Sequence, residues 1–522
     1  MRVRTRWGWG FEDAAISTGE ARAAAPALIE LLGFGRLEPE EPAAPETIRL
    51  PAARVQCPAH LRGICTQDDA TRRAHAYGQS YVDTVRALRG IYEHVPDVVA
   101  RPRDRREVEE VLEWAGSVNA AVIPYGGGTS VVGGVEPRIP EGFDGAVTVD
   151  LSAMDALREV DPVSRAARIG AGASGPRIEE QLGEHGFTLR FYPQSFEMST
   201  LGGWIATRAG GHYATHLTHI DDLVESVRAV GPAGLWASRR LPGSGAGPSP
   251  DRMLLGSEGI LGIITEAWVR VRPRPVHRAG RAVRFDSFLD GAEAVRALAQ
   301  SELEPANCRL MDPIEAAQAG GGNGRSALLA LGFESADHPV DPWLHRALEI
   351  CREHGGHHDD GGGDGGGELR AWRESFLRMP YLRDLLVRLG VFTDTFETAI
   401  TWERFPAFHE QVAGAVREAL GEPSRVTCRL TYVYPDGPAP YFTVLAPART
   451  GDEIGQWHEM KRAAGRVIIA AGGTITHHHG VGRDHRAWYD EQRPDAFAAA
   501  LRAAKQALDP QGVLNPGVLI DP

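Results

Sequence analysis

Short apolar runs broken by turn-forming residues set the pattern of this chain from Pro96 onward. Residues 98–100 predict a strand, and Asp104-Arg-Arg-Glu107 has the form of a capping box opening a helix through Trp114. A second strand is expected at 121–124, running straight into a glycine-rich turn. Further strands are expected at 146–151, 167–170 and 223–230, with a helix at 176–185 between the last two. This mixture, continuing to about residue 275, predicts an α+β domain.

A second domain is expected over 276–470, with helices at 290–301 and 406–420 and strands at 429–433 and 467–470. The chain then reads as a loop over 472–483 and a helix over 497–508. Residues 1–93 form a separate, mixed region, with a Pro- and Glu-rich linker at 38–47 and helical text around 74–90. The run Gly355-Gly-His-His-Asp-Asp-Gly-Gly-Gly-Asp-Gly-Gly-Gly367 imitates a metal loop, but so much glycine makes ordering costly, and a flexible surface loop is expected.

Composition narrows the function classes. At 522 residues, 43% of them hydrophobic and 24% charged, the chain can bury more than one core. A formal net charge of -13 argues against a nucleic-acid binder, which needs a clustered positive footprint. No stretch reaches ~18 uncharged apolar residues, so no membrane span is expected, and the charged N-terminus lacks the apolar run of a secretory signal. Cys57, Cys65, Cys308, Cys351 and Cys428 form no metal-type pairs, which fits reduced thiols in a cytoplasmic protein. The 61 glycines cluster where strands end, the placement expected of backbone that must approach a ligand closely.

Four segments carry candidate cofactor chemistry. Pro124, Tyr125, Gly126, Gly127, Gly128, Thr129 and Ser130 follow a strand, and their consecutive N–H groups can cradle a diphosphate. Gln194, Ser195, Phe196, Glu197, Met198, Ser199 and Thr200 form the second segment; Thr207, Arg208, Ala209 and Gly210 form the third. The fourth is Glu258, Gly259, Ile260, Leu261, Gly262, Ile263 and Ile264. Small residues mixed with hydroxyls suit a long ligand lying on exposed backbone. The loudest signal for catalysis is His477-His478-His479 in a glycine-flanked stretch. Extended backbone would put His477 and His479 on one face and His478 on the other. The triplet reads as a general base near neutral pH, a polar surface turn, or part of a zinc site, although no further ligands stand at useful spacing.

These segments, in this order, resemble the FAD-binding domain of vanillyl-alcohol oxidase-type flavoproteins. The resemblance narrows to the alkyldihydroxyacetonephosphate synthase family through Trp7-Gly-Trp-Gly, Pro96-Asp-Val-Val, Ser195-Phe-Glu-Met-Ser-Thr-Leu-Gly-Gly-Trp, Cys308-Arg-Leu-Met-Asp, Phe396-Glu-Thr, Cys428-Arg-Leu-Thr and Thr476-His-His-His-Gly-Val-Gly482. It implies an α+β fold: a two-subdomain FAD-binding domain of the vanillyl-alcohol oxidase/PCMH type over 94–275, an inserted α+β cap over 276–470, and a C-terminal segment, 471–522, returning to the active site. It also implies non-covalent FAD, a small-molecule or lipid substrate, no metal, a homodimer, and a cytoplasmic protein touching a membrane surface only peripherally. The reaction implied is exchange of the acyl group of acyl-dihydroxyacetone phosphate for a long-chain alcohol, with a histidine, His478, as base and the flavin undergoing no net redox.

By the same resemblance Arg383 binds the substrate phosphate, Arg309 lies near the substrate and Tyr441 is an active-site tyrosine. The residues alone also allow an Arg383–Asp384 surface pair, a structural ion pair at Arg309 and a half-buried strand aromatic at Tyr441. Two positions depart from the family pattern. Phe191 stands where the family carries a histidine, and Asn515-Pro-Gly-Val-Leu519 looks more like FAD-linked 2-hydroxy-acid dehydrogenases. The competing reading is therefore an FAD-linked oxidase or dehydrogenase of a 2-hydroxy acid or alcohol. Against it, the stretch 431–444, where those dehydrogenases carry metal-binding histidines, contains none.

Overall fold

The computed structural model describes residues 2–211, 213–318, 322–358 and 378–521. Its first sheet pairs Cys65–Thr66, Val98–Ala100, Gly145–Asp150 and Ala120–Tyr125 in that order, the last three parallel. Their side chains are buried almost throughout, so these strands read as continuous apolar runs without alternation. The helix Arg105–Ser117 covers the sheet with Val108, Val111, Leu112 and Ala115, one stripe at helical spacing. Asp104 caps it by accepting the Glu107 N–H at 3.0 Å. The reciprocal half of the expected capping box is missing, because the Glu107 carboxylate accepts the Arg103 N–H at 2.7 Å and pairs with its guanidinium.

A second, antiparallel sheet follows in the order Leu157–Asp161, Ala166–Gly170, Ile263–Arg270, Val224–Gly231 and Gly234–Ala237. Both sheets share one core, and the chain's end enters it with Val481, Leu501, Val513, Leu514, Val518 and Ile520. Backbone bonds from Val122 N to Val513 O and from Asn515 N to Val122 O tie that end beside the first sheet. The Asn515 side chain donates to Gly134 O and Glu258 O, so this tail clasps two loops.

Between these parts lies a six-stranded antiparallel sheet, ordered His277–Phe285, Ala327–Ser335, Asn307–Met311, Arg425–Val433, Pro438–Pro447 and Val391–Glu397. One face packs Phe392, Phe396, Cys428, Leu430, Phe442 and Val444 against helices that include Phe288–Ala299, Asp341–Glu353, Phe405–Leu420 and Glu453–Ala470. The N-terminal helix Thr18–Leu32 lies on the helix 378–388, with Ala21, Ala25, Leu385 and Leu389 packed together.

The strand expected at 467–470 is instead the last turn of the helix Glu453–Ala470. Val467, Ile468 and Ile469 favour extended backbone only weakly. Burial of Trp457, Met460, Ala464 and Ile468 along one helical stripe outweighs that preference, which is below ~1 kcal/mol per residue. The surface loop expected in the glycine-rich run falls, from residue 359 onward, outside the described residues.

Candidate active site

A cavity of about 430 Å³ lies where the glycine loop, the cap sheet and the C-terminal segment meet. Gly126, Gly127, Gly128, Thr129 and Ser130 form one wall. Gly128 has φ +65°, and a Cβ there would overlap the Tyr125 hydroxyl. A Cβ at Gly127 would overlap the Met198 carbonyl and one at Gly126 the Thr200 hydroxyl, so the loop lies flat on the segment 198–200. None of the peptide N–H groups from Gly126 to Ser130 donates to another group among the described residues. Consecutive donors without protein partners at a cavity wall fit the diphosphate of a dinucleotide. Gln194, Ser195, Ser199, Thr200, Thr207, Ala209 and Gly210 complete this side.

The cap sheet supplies the facing wall through strand alternation. Thr393, Thr395 and Glu397 point away from the phenylalanine-lined core, as do Tyr441, Thr443 and Leu445. The register sets Glu397 opposite Tyr441, and Tyr441 opposite Arg429, in one row across three strands. The Arg429 guanidinium lies 3.8 Å from the centre of the Tyr441 ring and pairs with Glu315. Tyr441 donates to Thr395 Oγ1 at 2.9 Å. Arg309, 1% exposed, lines the same cavity. Burial and the neighbouring Arg429 push its guanidinium down to about 9.

The histidine triplet is a turn, not a strand. The Glu397 carboxylate accepts the backbone N–H of His477, His478 and His479 at 2.6, 3.2 and 2.9 Å, and the Thr476 hydroxyl at 2.6 Å. Wrapping three successive amides around one carboxylate abolishes the expected alternation: His478 and His479 line the cavity, whereas His477 faces His219 and Tyr434. Burial opposes ionisation of Glu397, but the surrounding imidazoles hold its carboxyl well below the usual range. Burial drives His479 down to about 3, against the pull of Glu397, and likewise lowers His477. Ligand atoms of Glu397, His477 and His478 lie within 4.8 Å of one another. The carboxylate there already accepts four hydrogen bonds, three from backbone amides and one from Thr476.

Arg383 sits on the helix 378–388 and lines the cavity. It donates to Gln79 O at 2.5 Å and to Asp384 Oδ1 at 3.0 Å, so the ion pair with its neighbour and a place on the cavity wall coexist. Asp384 Oδ2 also accepts the Trp9 N–H at 2.5 Å. A Cβ at Gly8 would overlap that carboxylate, and one at Gly10, at φ +75°, would overlap the Tyr381 hydroxyl. Trp7-Gly-Trp-Gly is thus a close-packed strap that brings Trp9 to the cavity wall.

Several expected cofactor residues do not line this cavity. Pro124 and Tyr125 end the strand below the loop, and the buried Tyr125 hydroxyl reaches Ala74 O. Phe196 meets Tyr192 edge-on, Glu197 pairs with Arg2, Met198 packs on Trp9 and Tyr381, and Arg208 pairs with Asp221. Glu258 accepts the N–H groups of Val481 and Gly482 at 2.7 and 2.8 Å, and burial raises its carboxyl to about 7. Gly259 abuts Pro124, Gly262 abuts Ala229 and Val230, and Ile260, Leu261, Ile263 and Ile264 are core. Small residues beside hydroxyls serve tight chain packing as well as ligand walls, and composition alone does not separate the two. Phe191 is likewise core, 4.9 Å from Trp204. The residues missed are Glu397, Arg429, Thr395 and Thr443; their signal was the apolar-polar alternation of 391–397, 425–433 and 438–447.

Residues 96–238 match the family described as FAD binding domain, and 274–519 match FAD linked oxidases, C-terminal domain. Alkyldihydroxyacetonephosphate synthase of Caenorhabditis elegans is 32% identical over 488 residues, covering 86% of this chain and 80% of its own. The enzyme of that name from Dictyostelium discoideum is 29% identical over 482 residues, covering 87% and 78%. A solved alkyldihydroxyacetonephosphate synthase shares the fold, with a TM-score of 0.82 at 24% identity over 98% of this chain and 97% of its own. So does p-cresol methylhydroxylase, with a TM-score of 0.70 at 15% identity over 97% and 98%. The chain is therefore an FAD-dependent enzyme, and it belongs to the alkyldihydroxyacetonephosphate synthase family.

Proposed function

We propose that the protein exchanges the acyl group of acyl-dihydroxyacetone phosphate for a long-chain alcohol. The observation that carries this reading is the two-ended character of one cavity. Its polar end holds Arg309, Arg383, Tyr441, His478 and His479. Its apolar arm is lined by Leu28, Leu31, Leu32, Leu382, Leu386 and Leu445, and leads to Leu31, which is 57% exposed. A phosphate ester with a fatty chain needs both; a small 2-hydroxy acid has no use for the arm.

In this reading Arg383 holds the phosphate through its guanidinium fork. His478 takes the proton from the substrate carbon, and Glu397 fixes the turn that aims its ring. Tyr441, set by Thr395 and the Arg429 face, orients the substrate beside His478. FAD, held non-covalently along residues 126–130, would supply an electron-accepting ring for this exchange, with no net redox. The leucine arm receives the departing or entering chain and excludes water.

The test is anaerobic incubation with palmitoyl-dihydroxyacetone phosphate and hexadecanol. Release of palmitate with formation of the alkyl ether and no lasting flavin bleaching is expected. Bleaching by lactate or glycolate, with no acyl exchange, would overturn the reading.

A further inference from the structure

The cavity-facing His478 is the first link of a hydrogen-bonded chain. Its Nδ1 lies 3.1 Å from Nδ1 of His477. Nε2 of His477 lies 2.8 Å from the Tyr434 hydroxyl and 3.0 Å from Nε2 of His219. The Tyr434 hydroxyl is 3.1 Å from Thr218 Oγ1. Tyr434 also lines a separate, open surface cleft of about 620 Å³ with Asp436, Glu491 and Gln492.

We propose that His477 and Tyr434 form a proton relay that connects His478 to solvent in this cleft. The proposal rests on the reading of His478 as the base of the acyl exchange. Two facing Nδ1 atoms bond only when one of them carries hydrogen. Glu397 Oε2, 3.4 Å from His478 Nδ1, places that hydrogen on His478. Its Nε2 lone pair is then free for the substrate, and no group among the described residues is bonded to it. His477 consequently accepts at Nδ1 and carries its hydrogen on Nε2, aimed at Tyr434 and His219. His219 ends the other branch, since its buried Nδ1 has no partner among the described residues.

The balance is simple. A substrate proton enters at His478 Nε2, and the Nδ1 proton of His478 moves to His477 Nδ1. The Nε2 proton of His477 moves to the Tyr434 oxygen, and the Tyr434 hydroxyl proton leaves for cleft solvent. One proton enters, one leaves, and no electrons change hands. The reverse shift returns a proton to the substrate carbon. The chain thereby spares the buried triplet an extra positive charge, which low-dielectric surroundings penalise.

The experiment uses the FAD-loaded enzyme and palmitoyl-dihydroxyacetone phosphate deuterated at the ester-bearing carbon. Wild type should lose deuterium to water, whereas Tyr434→Phe should lose it about tenfold more slowly per turnover, the weight of one hydrogen bond. Equal label loss in both proteins, or full retention in wild type, would overturn the relay. Nitrogen-15 spectra of histidine-labelled enzyme test it without substrate. His478 should be protonated at Nδ1, and Tyr434→Phe should shift His477 Nε2 while leaving His479 in place. Protonation of His478 at Nε2 would refute the relay whatever reaction is catalysed. A wild type without acyl exchange would refute the proposed reaction, and the spectra would still judge the relay.

Discussion

Oε2 of Glu397 accepts the backbone N–H of His478 at 3.2 Å and stands 3.4 Å from Nδ1 of the same residue. One carboxylate oxygen thus fixes both the main chain and the ring of the proposed base. Glu397→Gln replaces an acceptor by an NH2 group facing backbone donors. Buried N–H groups left without partners cost about 1–3 kcal/mol each. The variant is expected to melt several degrees lower, with kcat falling more than KM rises. A variant with wild-type turnover and melting temperature would show that the carboxylate holds nothing.

His478→Ala should lose about 10²- to 10⁴-fold in kcat, the usual contribution of a positioned base. Flavin content and melting temperature should stay near wild type, because the His478 ring lines the cavity and lies outside the apolar clusters of the core. Retention of most activity would hand the proton to another group, His479 first.

Gly127→Val should purify without flavin. Its Cβ would overlap the Met198 carbonyl, so the loop must lift and its amides lose their alignment. Gly19→Ala, where nothing lies within 4 Å, is the control and should keep full flavin. The ratio of flavin to protein absorbance reads both. Acid precipitation of wild type should release all yellow colour, whereas flavin in the washed pellet would mean a covalent link.

Arg383→Lys retains the charge but loses the planar fork. A charge-assisted bond of this kind contributes about 1.5–3 kcal/mol, or roughly 10- to 150-fold in affinity. Titration with dihydroxyacetone phosphate, followed through the flavin spectrum, should show weakening within that range, and lactate or glycolate should perturb neither protein. Equal binding of the phosphate ester by both proteins would remove Arg383 from the phosphate site.

Burial raises the Glu258 carboxyl from 4.5 to about 7, opposed by the two amides it accepts. The folded protein therefore holds its proton where the unfolded chain has lost it. The stability this confers is full below about 4.5 and is lost as pH rises to about 7, roughly 3 kcal/mol in all. Glu258→Gln cannot titrate, so the stability difference between wild type and variant should be larger at pH 5 than at pH 8. Denaturant melts at both values check this, and parallel curves would contradict it.

The buried strands 98–100 and 145–150, the helix stripe of 105–117, the glycine turn at 126–130 and the histidine triplet were all legible along the chain. Each depends on a few neighbouring residues: apolar runs, helical spacing, a residue tolerant of positive φ, adjacent imidazoles. The family motifs were legible for the same reason, as local strings. The side on which each histidine lies was not. It follows from Glu397, eighty residues upstream of His477, whose carboxylate gathers three amides into a turn. The Glu397–Tyr441–Arg429 row likewise exists only once three strands settle into one antiparallel register. Even the helix at 467–470 needed its buried stripe to overrule a β-branched run. Local patterns determine which elements form because they act over a turn or a strand. The site was decided by long-range closure, where burial and buried hydrogen bonds outweigh the sub-kilocalorie preferences that the sequence displays.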